Sequence, residues 1–474
     1  MSGAPYRIQL ATCMRKNVTT GNLRLLFTIT VVIFWSFLVT WVIGPSLRIL
    51  ALLHDEIKEQ LDARPKVQGL PVLLAQKRRA YDDCILFFCS SAGEYEQAKP
   101  LIDRIAANRS VLCHVIFFSV SAAKFVNARR DDVSWSMSPL DNVWEWGDIF
   151  AALRPSKTVI VRHELWPAFL WQAAMWSEVV VVNSVVPALY GRRSKWMDAI
   201  NLAVKGWLLV FVDKLCVVDV SAKEFFIKKL KIPASKISIT GDTKYDRVVE
   251  RAVEKKATVA QLRSLFRKQW DPPGCDLLLI GGSVHLPDVE LLMAAITAGS
   301  PPDNLRRIKI LLVPHQVTTS NIARLFAEVR RHNISCELLS EVESARFQFS
   351  EPAPRVIIAD ELGRLSDLYG VADLAWVGGA VHAKVHNVLE PAAWGIPVMC
   401  GVRFENSQEA VALNRASALF NTADPMALRT YLLENLDHLV KRGNETMVFV
   451  QSLAGASERV LAAINSSPSG GSNQ

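Results

Sequence analysis

A glutamate follows the first apolar strand-like run of the chain, at the start of a helical stretch. The string Ser-Ser-Ala-Gly-Glu, which ends at Glu94, follows residues 85–88 after a single cysteine. A carboxylate at the end of a parallel strand is well placed to remove a proton from a bound hydroxyl group. The alternative is a capping box, in which Ser91 caps the helix and Glu94 bonds back to it.

Charged residues also follow two later strand-like runs. Arg162 and Glu164 come after residues 158–161, and they predict either part of a reaction site or an ion pair that holds a loop. Lys244 follows residues 237–240. It is either placed to bind an anionic group or is a solvated lysine on a turn.

The second half of the chain has residues suited to an anion at its strand ends. Ser283 and His285 lie in a Gly-Gly-Ser-Val-His string, where backbone amides and a helix start favour a phosphate. Pro314 and His315 end the next run. The His315 side chain either donates to a phosphate or bonds a loop carbonyl.

Two further strings open helices after strands. The first contains Leu362, Gly363 and Arg364, and the acidic residues around it are either ligand-binding groups or partners of the helix dipole. The second string is formed by Asn387, Val388, Leu389 and Glu390. Its carboxylate either caps the helix or holds the two hydroxyls of a ribose.

Short β-branched runs recur between helix-length stretches and predict the elements that position these residues. In the first half they are residues 85–88, 111–118, 158–161, 179–182, 215–218 and 237–240. A charged helical stretch follows at 247–268. The second series is 277–280, 308–313, 355–359, 374–377 and 398–400. The predicted fold is α/β, with two doubly wound parallel-sheet domains at 54–246 and 247–465.

Composition excludes several classes of protein. Of 474 residues, 50% are hydrophobic and 21% are charged, which excludes a disordered chain. The net charge of +8 favours acidic partners, but the basic pairs are scattered. We therefore expect no nucleic-acid partner and an anionic membrane surface instead. The 8 cysteines contain no CxxC pair, which predicts reduced thiols in the core.

The two ends of the chain differ from its body. Residues 25–43 carry no charge over nineteen positions, which predicts an N-terminal membrane anchor within 1–53. The positive-inside rule would move the body across the membrane. A helix lying in one leaflet, with Trp35 and Trp41 at the interface, would keep the body in the cytoplasm. The low-complexity segment 466–474 is predicted to be a disordered tail.

Eight strings in this order resemble the bacterial Kdo transferases, the 3-deoxy-D-manno-octulosonate transferases of lipopolysaccharide assembly. They are SAGE, HELWP, GDTKYD, GGSVH, VPH, DELGRLSDLYG, VGGA and HNVLEPAAWGIPV, along roughly residues 80 to 455. The resemblance implies a GT-B glycosyltransferase, with two Rossmann-like domains facing a cleft and a membrane helix at the N-terminus. It also implies a location at the inner membrane, with both domains facing the cytoplasm.

The resemblance assigns roles to the residues above. Glu94 matches the general base, which deprotonates a sugar hydroxyl of a lipid A precursor; its oxygen attacks Kdo with inversion, and CMP leaves. Lys244 matches a residue that stabilises the transition state, and the family needs no bound metal or other cofactor. The CMP-contacting positions are Pro314, His315, Leu362, Gly363, Arg364, Asn387, Val388, Leu389 and Glu390. We add Ser283 and His285 to the donor-binding set, and Arg162 and Glu164 to the catalytic set.

Several residues depart from the family pattern. Arg162 stands where the family usually has a glutamate, and His315 stands where it has the arginine of Pro-Arg-His. Met-Gly-Glu has become the string that ends at Arg364, and a Gly-Gly pair has become Lys384-Val385. One hypothesis is that Arg364 and Lys384 restore the lost positive charge. The departures leave two alternatives open, a GT-B transferase with another donor or acceptor and an inactive scaffolding relative.

Overall fold

The chain forms two compact units in a computed structural model. It describes residues 22–64, 69–123, 133–162, 164–187, 194–270, 277–299, 305, 308–344, 354–361, 363–435 and 438–466. One unit comprises the described residues up to Arg247 together with those from Gly455 onward, and the other comprises Val248–Ala454. Each unit is built on one parallel sheet, so the predicted α/β class with two doubly wound sheets is confirmed.

The first unit contains seven parallel strands in the order β3-β2-β1-β4-β5-β6-β7. Their bounds are β1 Asp83–Cys89, β2 Val111–Phe117, β3 Val133–Met137, β4 Lys157–Val161, β5 Glu178–Ser184, β6 Lys214–Val217 and β7 Ile237–Ile239. Strand order reverses between β1 and β4, where Phe88 is in register with Ile160. Ligands of doubly wound sheets bind at such a switch point, so the residues that follow β1 and β4 are the first place to look.

Helices cover the first sheet on both faces. They are α1 Asn22–Leu38, α2 Gly44–Leu50, α3 Asp55–Asp62, α4 Leu70–Arg78, α5 Ala92–Ala106, α6 Val120–Ala123, α7 Val143–Leu153, α8 Pro167–Trp176, α9 Lys195–Leu208 and α10 Val220–Lys228. A π-helical turn, Val39–Ile43, joins α1 to α2. Alternate residues of β1 enter two different hydrophobic clusters, one on each side of the sheet. Burial on both faces explains why this strand is apolar throughout.

The second unit has seven parallel strands in the order β10-β11-β9-β8-β12-β13-β14. Their bounds are β8 Leu277–Val284, β9 Ile308–Pro314, β10 Cys336–Leu338, β11 Val356–Ile358, β12 Leu374–Val377, β13 Val398–Cys400 and β14 Leu419–Asn421. The order reverses between β8 and β12, which are paired from Leu374 to Val377. The residues that follow these two strands therefore border the switch point of the second unit.

The helices of the second half begin with a long one. They are α11 Thr243–Gln269, α12 Leu286–Thr297, α13 Thr319–Arg331, α14 Leu339–Ser344, α15 Leu365–Tyr369, α16 Leu389–Ala393, α17 Gln408–Arg415, α18 Pro425–Asn435, α19 Leu439–Leu453 and α20 Ala456–Asn465. The chain passes from the first unit into the second within α11, which contains the predicted charged stretch 247–268.

The last helix returns to the first unit. Val460 and Ile464 of α20 belong to the hydrophobic cluster on one face of the first sheet, and Arg459 Nε donates to Thr240 O at 2.8 Å. The sequence-based boundary at 465 placed this helix with the second domain. Its apolar face is instead buried by β-sheet residues more than 200 positions earlier in the chain.

The N-terminal helix lies against the first unit instead of standing apart from it. Two described segments are long and apolar enough to cross a membrane, Thr28–Leu50 and Leu439–Asn465; the latter consists of α19 and α20. In α1, Trp35 Nε1 donates to Asp141 at 2.8 Å and Ser36 Oγ accepts from Val143 N at 3.0 Å. Trp35 is therefore half-buried against the protein, whereas Trp41, the other residue predicted for the interface, is exposed.

The cysteines of the described part of the chain are buried, and they form no disulfide with one another. They are Cys84, Cys89, Cys113, Cys216, Cys336 and Cys400. Burial raises the pKa of Cys84 and of Cys216 to about 12, so neither thiol ionises near neutral pH. The prediction of reduced thiols in the core is confirmed for these six residues.

Candidate active site

Glu94 lies in the first turn of α5, directly after β1. The helix is capped by Ser91, whose Oγ accepts from Glu94 N at 3.3 Å. A capping box would require the Glu94 carboxylate to accept a hydrogen bond from the backbone N of Ser91, but the carboxylate is bound to Ser90 instead. Its Oε2 accepts from Ser90 N at 2.6 Å and from Ser90 Oγ at 2.8 Å. Ser91 thus caps the helix, and Ser90 holds the carboxylate of Glu94.

The environment of Glu94 favours a basic carboxylate. Burial is the largest influence and raises its pKa, and the nearby negative charge of Glu164 raises it further. The two Ser90 hydrogen bonds and the charge of Arg162 act in the opposite direction but do not cancel the effect. A half-buried carboxylate with a raised pKa is a stronger base than an exposed one, so Glu94 is suited to accept a proton.

Arg162 follows β4 and has a left-handed backbone, at φ 63°. Few residues other than glycine adopt this conformation, so the position is held by its surroundings. Arg162 Nε donates to Gln97 Oε1 at 2.8 Å, and Nη2 lies 3.4 Å from Asp242 Oδ2. His163, which follows it, lies outside the described residues. The predicted loop-holding ion pair exists, but its acid is Asp242 and not Glu164.

Lys244 forms an ion pair with Asp242, the same acid that pairs with Arg162. Its Nζ lies 3.2 Å from Asp242 Oδ2, and its backbone N donates to Asp242 Oδ1 at 3.0 Å. The Asp242 side chain is only 3% exposed and that of Lys244 only 14%. Lys244 is therefore not a solvated lysine on a turn. One buried carboxylate holds two cations side by side.

Glu164 contributes charge near the carboxylate of Glu94. It lies in the loop between β4 and α8, where Trp166 Nε1 donates to Glu164 Oε2 at 2.8 Å. The effect of Glu164 on the pKa of Glu94, together with that of Arg162, places all three residues in one electrostatic neighbourhood. The four catalytic candidates of the first unit thus surround the ends of β1, β4 and β7.

Two amides in this neighbourhood had no role in the sequence-based prediction. Asn183, at the end of β5, has φ 57° and donates through Nδ2 to Thr243 Oγ1 at 2.7 Å and to Gln97 Oε1 at 3.3 Å. Gln97 therefore joins Arg162 to Asn183. The one signal that could have found Asn183 is its place at a strand end, which it shares with Glu94 and Arg162.

Four histidines cluster at strand ends of the second unit; the ring centroid of His382 lies 4.8 Å from that of His285, and the other three bring ring nitrogens close together. His285 follows β8, His315 follows β9, and His386 lies in the loop after β12. Their nearest ring nitrogens are all within 4.8 Å of one another, and His285 Nε2 is 3.2 Å from His386 Nε2. Burial lowers the pKa of His386 to about 4 and also lowers that of His285, so both rings are neutral near pH 7.

A buried acid fixes the loops that carry these histidines. Asp288, in the first turn of α12, accepts from His285 N at 2.9 Å, Gly379 N at 2.9 Å and Trp376 Nε1 at 3.2 Å. Its side chain joins the residues after β8 to those after β12, across the switch point. Ser283 precedes His285 with a left-handed backbone, at φ 52°. Sequence reasoning missed Asp288 because an acid in a first helical turn is common.

The string from Asn387 to Glu390 forms a local hydrogen-bonded turn. Asn387 Oδ1 accepts from Leu389 N at 3.1 Å, and Asn387 Nδ2 donates to Glu390 Oε1, also at 3.1 Å. Val388 and Leu389 are buried beneath it. The side chain of Asn387 thus accepts the first backbone N–H of α16, so Glu390 is not needed as a cap for this helix.

The side chain of Arg364 is held by two acids. Its Nη1 lies 2.7 Å from Glu343 Oε2 and 3.3 Å from Glu361 Oε2, so its charge is matched by two acids. Gly363 before it has φ 88°, and Leu362 lies outside the described residues. These ion pairs disfavour the hypothesis that Arg364 restores positive charge for a ligand, whereas Lys384 is exposed.

Comparison with known proteins gives a consistent result. Residues 58–247 match the family described as 3-deoxy-D-manno-octulosonic-acid transferase (kdotransferase). A 3-deoxy-D-manno-octulosonic acid transferase of Haemophilus influenzae is 24% identical over 393 residues, 80% of this chain and 85% of that protein. One of Chlamydia trachomatis serovar A is 30% identical over 327 residues, 67% of this chain and 69% of that protein. The chain belongs to the Kdo transferase family.

Solved structures extend the likeness to the whole fold of this Kdo transferase family member. A UDP-GlcNAc 2-epimerase from Neisseria meningitidis is 11% identical with a TM-score of 0.56, covering 80% of this chain and 99% of that one. A glycosyltransferase from Rickettsia africae is 14% identical with a TM-score of 0.50, covering 82% and 100%. At these identities the likeness concerns the fold alone. Family membership makes the protein a glycosyltransferase, as the ordered strings predicted.

Proposed function

We propose that the protein transfers Kdo from CMP-Kdo to a lipid A-type acceptor in lipopolysaccharide biosynthesis. The observation that carries this is Glu94, a half-buried carboxylate with a raised pKa beside the switch point of the first sheet, in a chain of this family. The acceptor hydroxyl is a poor nucleophile until its proton is removed. Glu94 is suited to remove that proton as the new bond forms.

The proposed reaction is a single displacement with inversion at the anomeric carbon. Both Ser90 hydrogen bonds go to Glu94 Oε2, and we find no hydrogen bond to Oε1 from the residues that the structure describes. Oε1 takes the proton of the acceptor hydroxyl. The acceptor oxygen forms a bond to the anomeric carbon, the bond from that carbon to the CMP phosphate oxygen breaks, and CMP leaves with the electron pair.

Arg162 and Lys244 are proposed to stabilise negative charge in the transition state. Two cations share the carboxylate of Asp242, so this group of three side chains keeps a formal charge of plus one. Because the cations are held by a buried acid, little reorganisation is needed when charge develops. Glu164 has the proposed role of raising the basicity of Glu94 through its negative charge.

The second unit is proposed to bind the nucleotide of the donor. His285 and His315 lie at strand ends beside the switch point, where phosphates bind in doubly wound sheets. Pro314 ends β9 beside them. Asn387 orients Glu390, and a carboxylate held in this way can accept hydrogen bonds from both hydroxyls of a ribose.

Replacing Glu390 with alanine is expected to weaken CMP binding about tenfold, equivalent to about 1.4 kcal/mol. The physical reason is the loss of the hydrogen bonds to the ribose. Binding should be measured by calorimetry with CMP, and acceptor binding should be unchanged. Glu434→Ala removes an exposed acid from α18 of the same unit and is the matched control. Weaker acceptor binding with unchanged CMP binding would place the donor elsewhere.

Attachment to the inner membrane from the cytoplasmic side is proposed for the N-terminal segment. Phe34, Phe37 and Trp41 are exposed on α1 and the π-helical turn, at 67%, 55% and 66%, whereas Ser36 and Trp35 hold the opposite face to the first unit. A helix bound along one side and apolar on the other is suited to lie in one leaflet. That position keeps both flanks in the cytoplasm, where a nucleotide-sugar donor is available.

A second candidate is a transferase of the same fold with another donor. The changed residues Arg162 and His315 favour it, and Arg364 is engaged by two glutamates. Calorimetry with CMP and UDP separates the candidates, because the two nucleotides differ in the pyrimidine ring and in the number of phosphates. Tighter binding of UDP than of CMP would favour the second candidate.

A further inference from the structure

The cluster of His285, His315 and His386 has a chemistry that phosphate binding alone does not require. We propose that these three side chains bind one divalent transition-metal ion of the zinc class. We further propose that the ion supplies the positive charge beside the donor phosphate that the family arginine would supply at position 315. This second part rests on the proposed donor site, whereas the metal site itself does not.

The distances fit a single ion. Two nitrogens bound to one tetrahedral Zn²⁺ at about 2.0 to 2.1 Å are about 3.3 Å apart, and His285 Nε2 lies 3.2 Å from His386 Nε2. The His315 nitrogen lies within 4.8 Å of both. His315 is exposed, so its side chain can move the remaining distance of about 1.5 Å by changing rotamer.

The ligand type and number favour a zinc-class ion over magnesium or calcium. Imidazole nitrogen is a ligand for Zn²⁺, Co²⁺, Ni²⁺ and Cu²⁺, whereas Mg²⁺ and Ca²⁺ require oxygen. The group contains three histidines and no carboxylate. Three protein ligands leave a fourth position open, as in catalytic zinc sites, and a phosphate oxygen can occupy it.

The backbone around the cluster is fixed before any ion binds. His315 N donates to Val284 O at 3.0 Å, and His386 N donates to Gly378 O at 3.2 Å. Asp288 holds the amides of His285 and Gly379. All three ligands are thus tied to the ends of β8 and β12, and such support keeps a site close to the geometry that binding requires.

One hydrogen bond competes with the ion. The His285 ring accepts the backbone amide of Asp288 as the cap of α12; since Nε2 faces His386, Nδ1 is the capping atom. The neutral ring then carries its proton on Nε2. Metal binding at Nε2 moves that proton to Nδ1, and so exchanges one cap bond for one metal bond.

His315 provides the test, because arginine at this position cannot ligate. An arginine side chain stays protonated and has no lone pair to offer. His315→Arg therefore removes one metal ligand and restores a fixed charge. His285→Asn removes a ligand but keeps a residue that caps helices well. His438→Ala removes an exposed histidine before α19 and is the matched control.

The first experiment is a Co²⁺ titration of the full-length protein in detergent after chelator treatment. We expect visible absorption bands of tetrahedral cobalt that saturate at one equivalent, in the wild type and in His438→Ala alike. His315→Arg and His285→Asn should bind Co²⁺ at least tenfold more weakly. Absence of the bands from the wild type, or equal binding by His315→Arg, would overturn the metal site.

The second experiment measures CMP binding with and without Zn²⁺. The wild type should bind CMP at least tenfold more tightly with Zn²⁺, whereas His315→Arg should bind CMP equally in both conditions. If the wild type bound Co²⁺ but its CMP affinity were the same with and without Zn²⁺, the role of the ion in donor binding would be overturned. A failure to transfer Kdo would leave the cobalt titration unaffected, so the two proposals fail separately.

Discussion

Replacing Glu94 with glutamine is expected to slow sugar transfer by roughly a hundredfold or more, the usual scale for loss of a general base. Glutamine has nearly the same size, and its amide oxygen can still accept the two Ser90 hydrogen bonds. Ser91 continues to cap α5. The fold and its thermal midpoint should therefore be retained while the rate falls. Initial rates of transfer at saturating donor provide the measurement.

Ser91→Ala is the matched control, because it separates the cap from the base. Loss of an N-cap hydroxyl costs about 1 kcal/mol of stability, and it leaves the Glu94 carboxylate bound to Ser90. This variant should thus be less stable but retain most of its activity. If instead Glu94→Gln lost stability and kept its rate, Glu94 would be a structural residue and another group would be the base.

The pH profile gives a second readout of the same residue. A base must be deprotonated to act, so activity should rise with pH through the pKa of Glu94. Burial raises that pKa above the ordinary value of 4.5, which moves the acidic limb of the profile to higher pH. Because Glu164 contributes to the rise, Glu164→Gln should move the limb back toward lower pH. An unchanged limb in Glu164→Gln would contradict this electrostatic role.

Replacing Asp141 with alanine is expected to destabilise the first unit by about 3 kcal/mol or more, because buried donors are left unpaired. Its carboxylate accepts from Trp35 Nε1 and Trp146 Nε1 at 2.8 and 3.1 Å. It also accepts from Ala168 N and Phe169 N, at 3.1 and 2.9 Å, at the start of α8. One acid thus joins α7 and α8 to α1, whose Trp35 lies 106 positions before Asp141 in the sequence.

Trp35→Phe is the matched control for Asp141→Ala. It removes one of the four donors and should cost about 1 kcal/mol. Thermal unfolding followed by circular dichroism compares the two, and hydrogen exchange locates the effect. Amides of α1 should exchange faster in both variants, and amides of α8 only in Asp141→Ala. Equal losses of stability would show that Asp141 contributes no more than its bond to Trp35.

All eleven runs that the sequence predicts overlap observed strands. Ten of them are interior strands, because a strand covered on both faces is apolar and β-branched throughout, and the eleventh is the edge strand β7. The three that were missed are β3, β10 and β14, which are three of the four edge strands. Edge strands are short and less apolar; Val133–Met137, for example, alternates with serine. The hydrophobic pattern gives no signal for them.

The sequence predicts that the candidate residues lie at strand ends, but it does not predict which side chains they contact. Glu94, Arg162 and Lys244 follow strands, and this place in a doubly wound fold is readable from sequence. That Asp242 holds both cations depends on contact between the residues after β4 and those after β7, which no local pattern records. The contact between His285 and His386 spans 101 positions. No local pattern therefore links these histidines.

The most direct test of the proposed function is the mass of the acceptor lipid after incubation with the purified protein in detergent. The acceptor is a tetra-acylated lipid A precursor, and CMP-Kdo is generated in place. Wild-type protein is predicted to add the mass of Kdo to the lipid, and Glu94→Gln is predicted to add almost none in the same time. No added mass from a wild type that binds CMP would contradict Kdo transfer to this acceptor, and equal addition by both proteins would contradict Glu94 as the base.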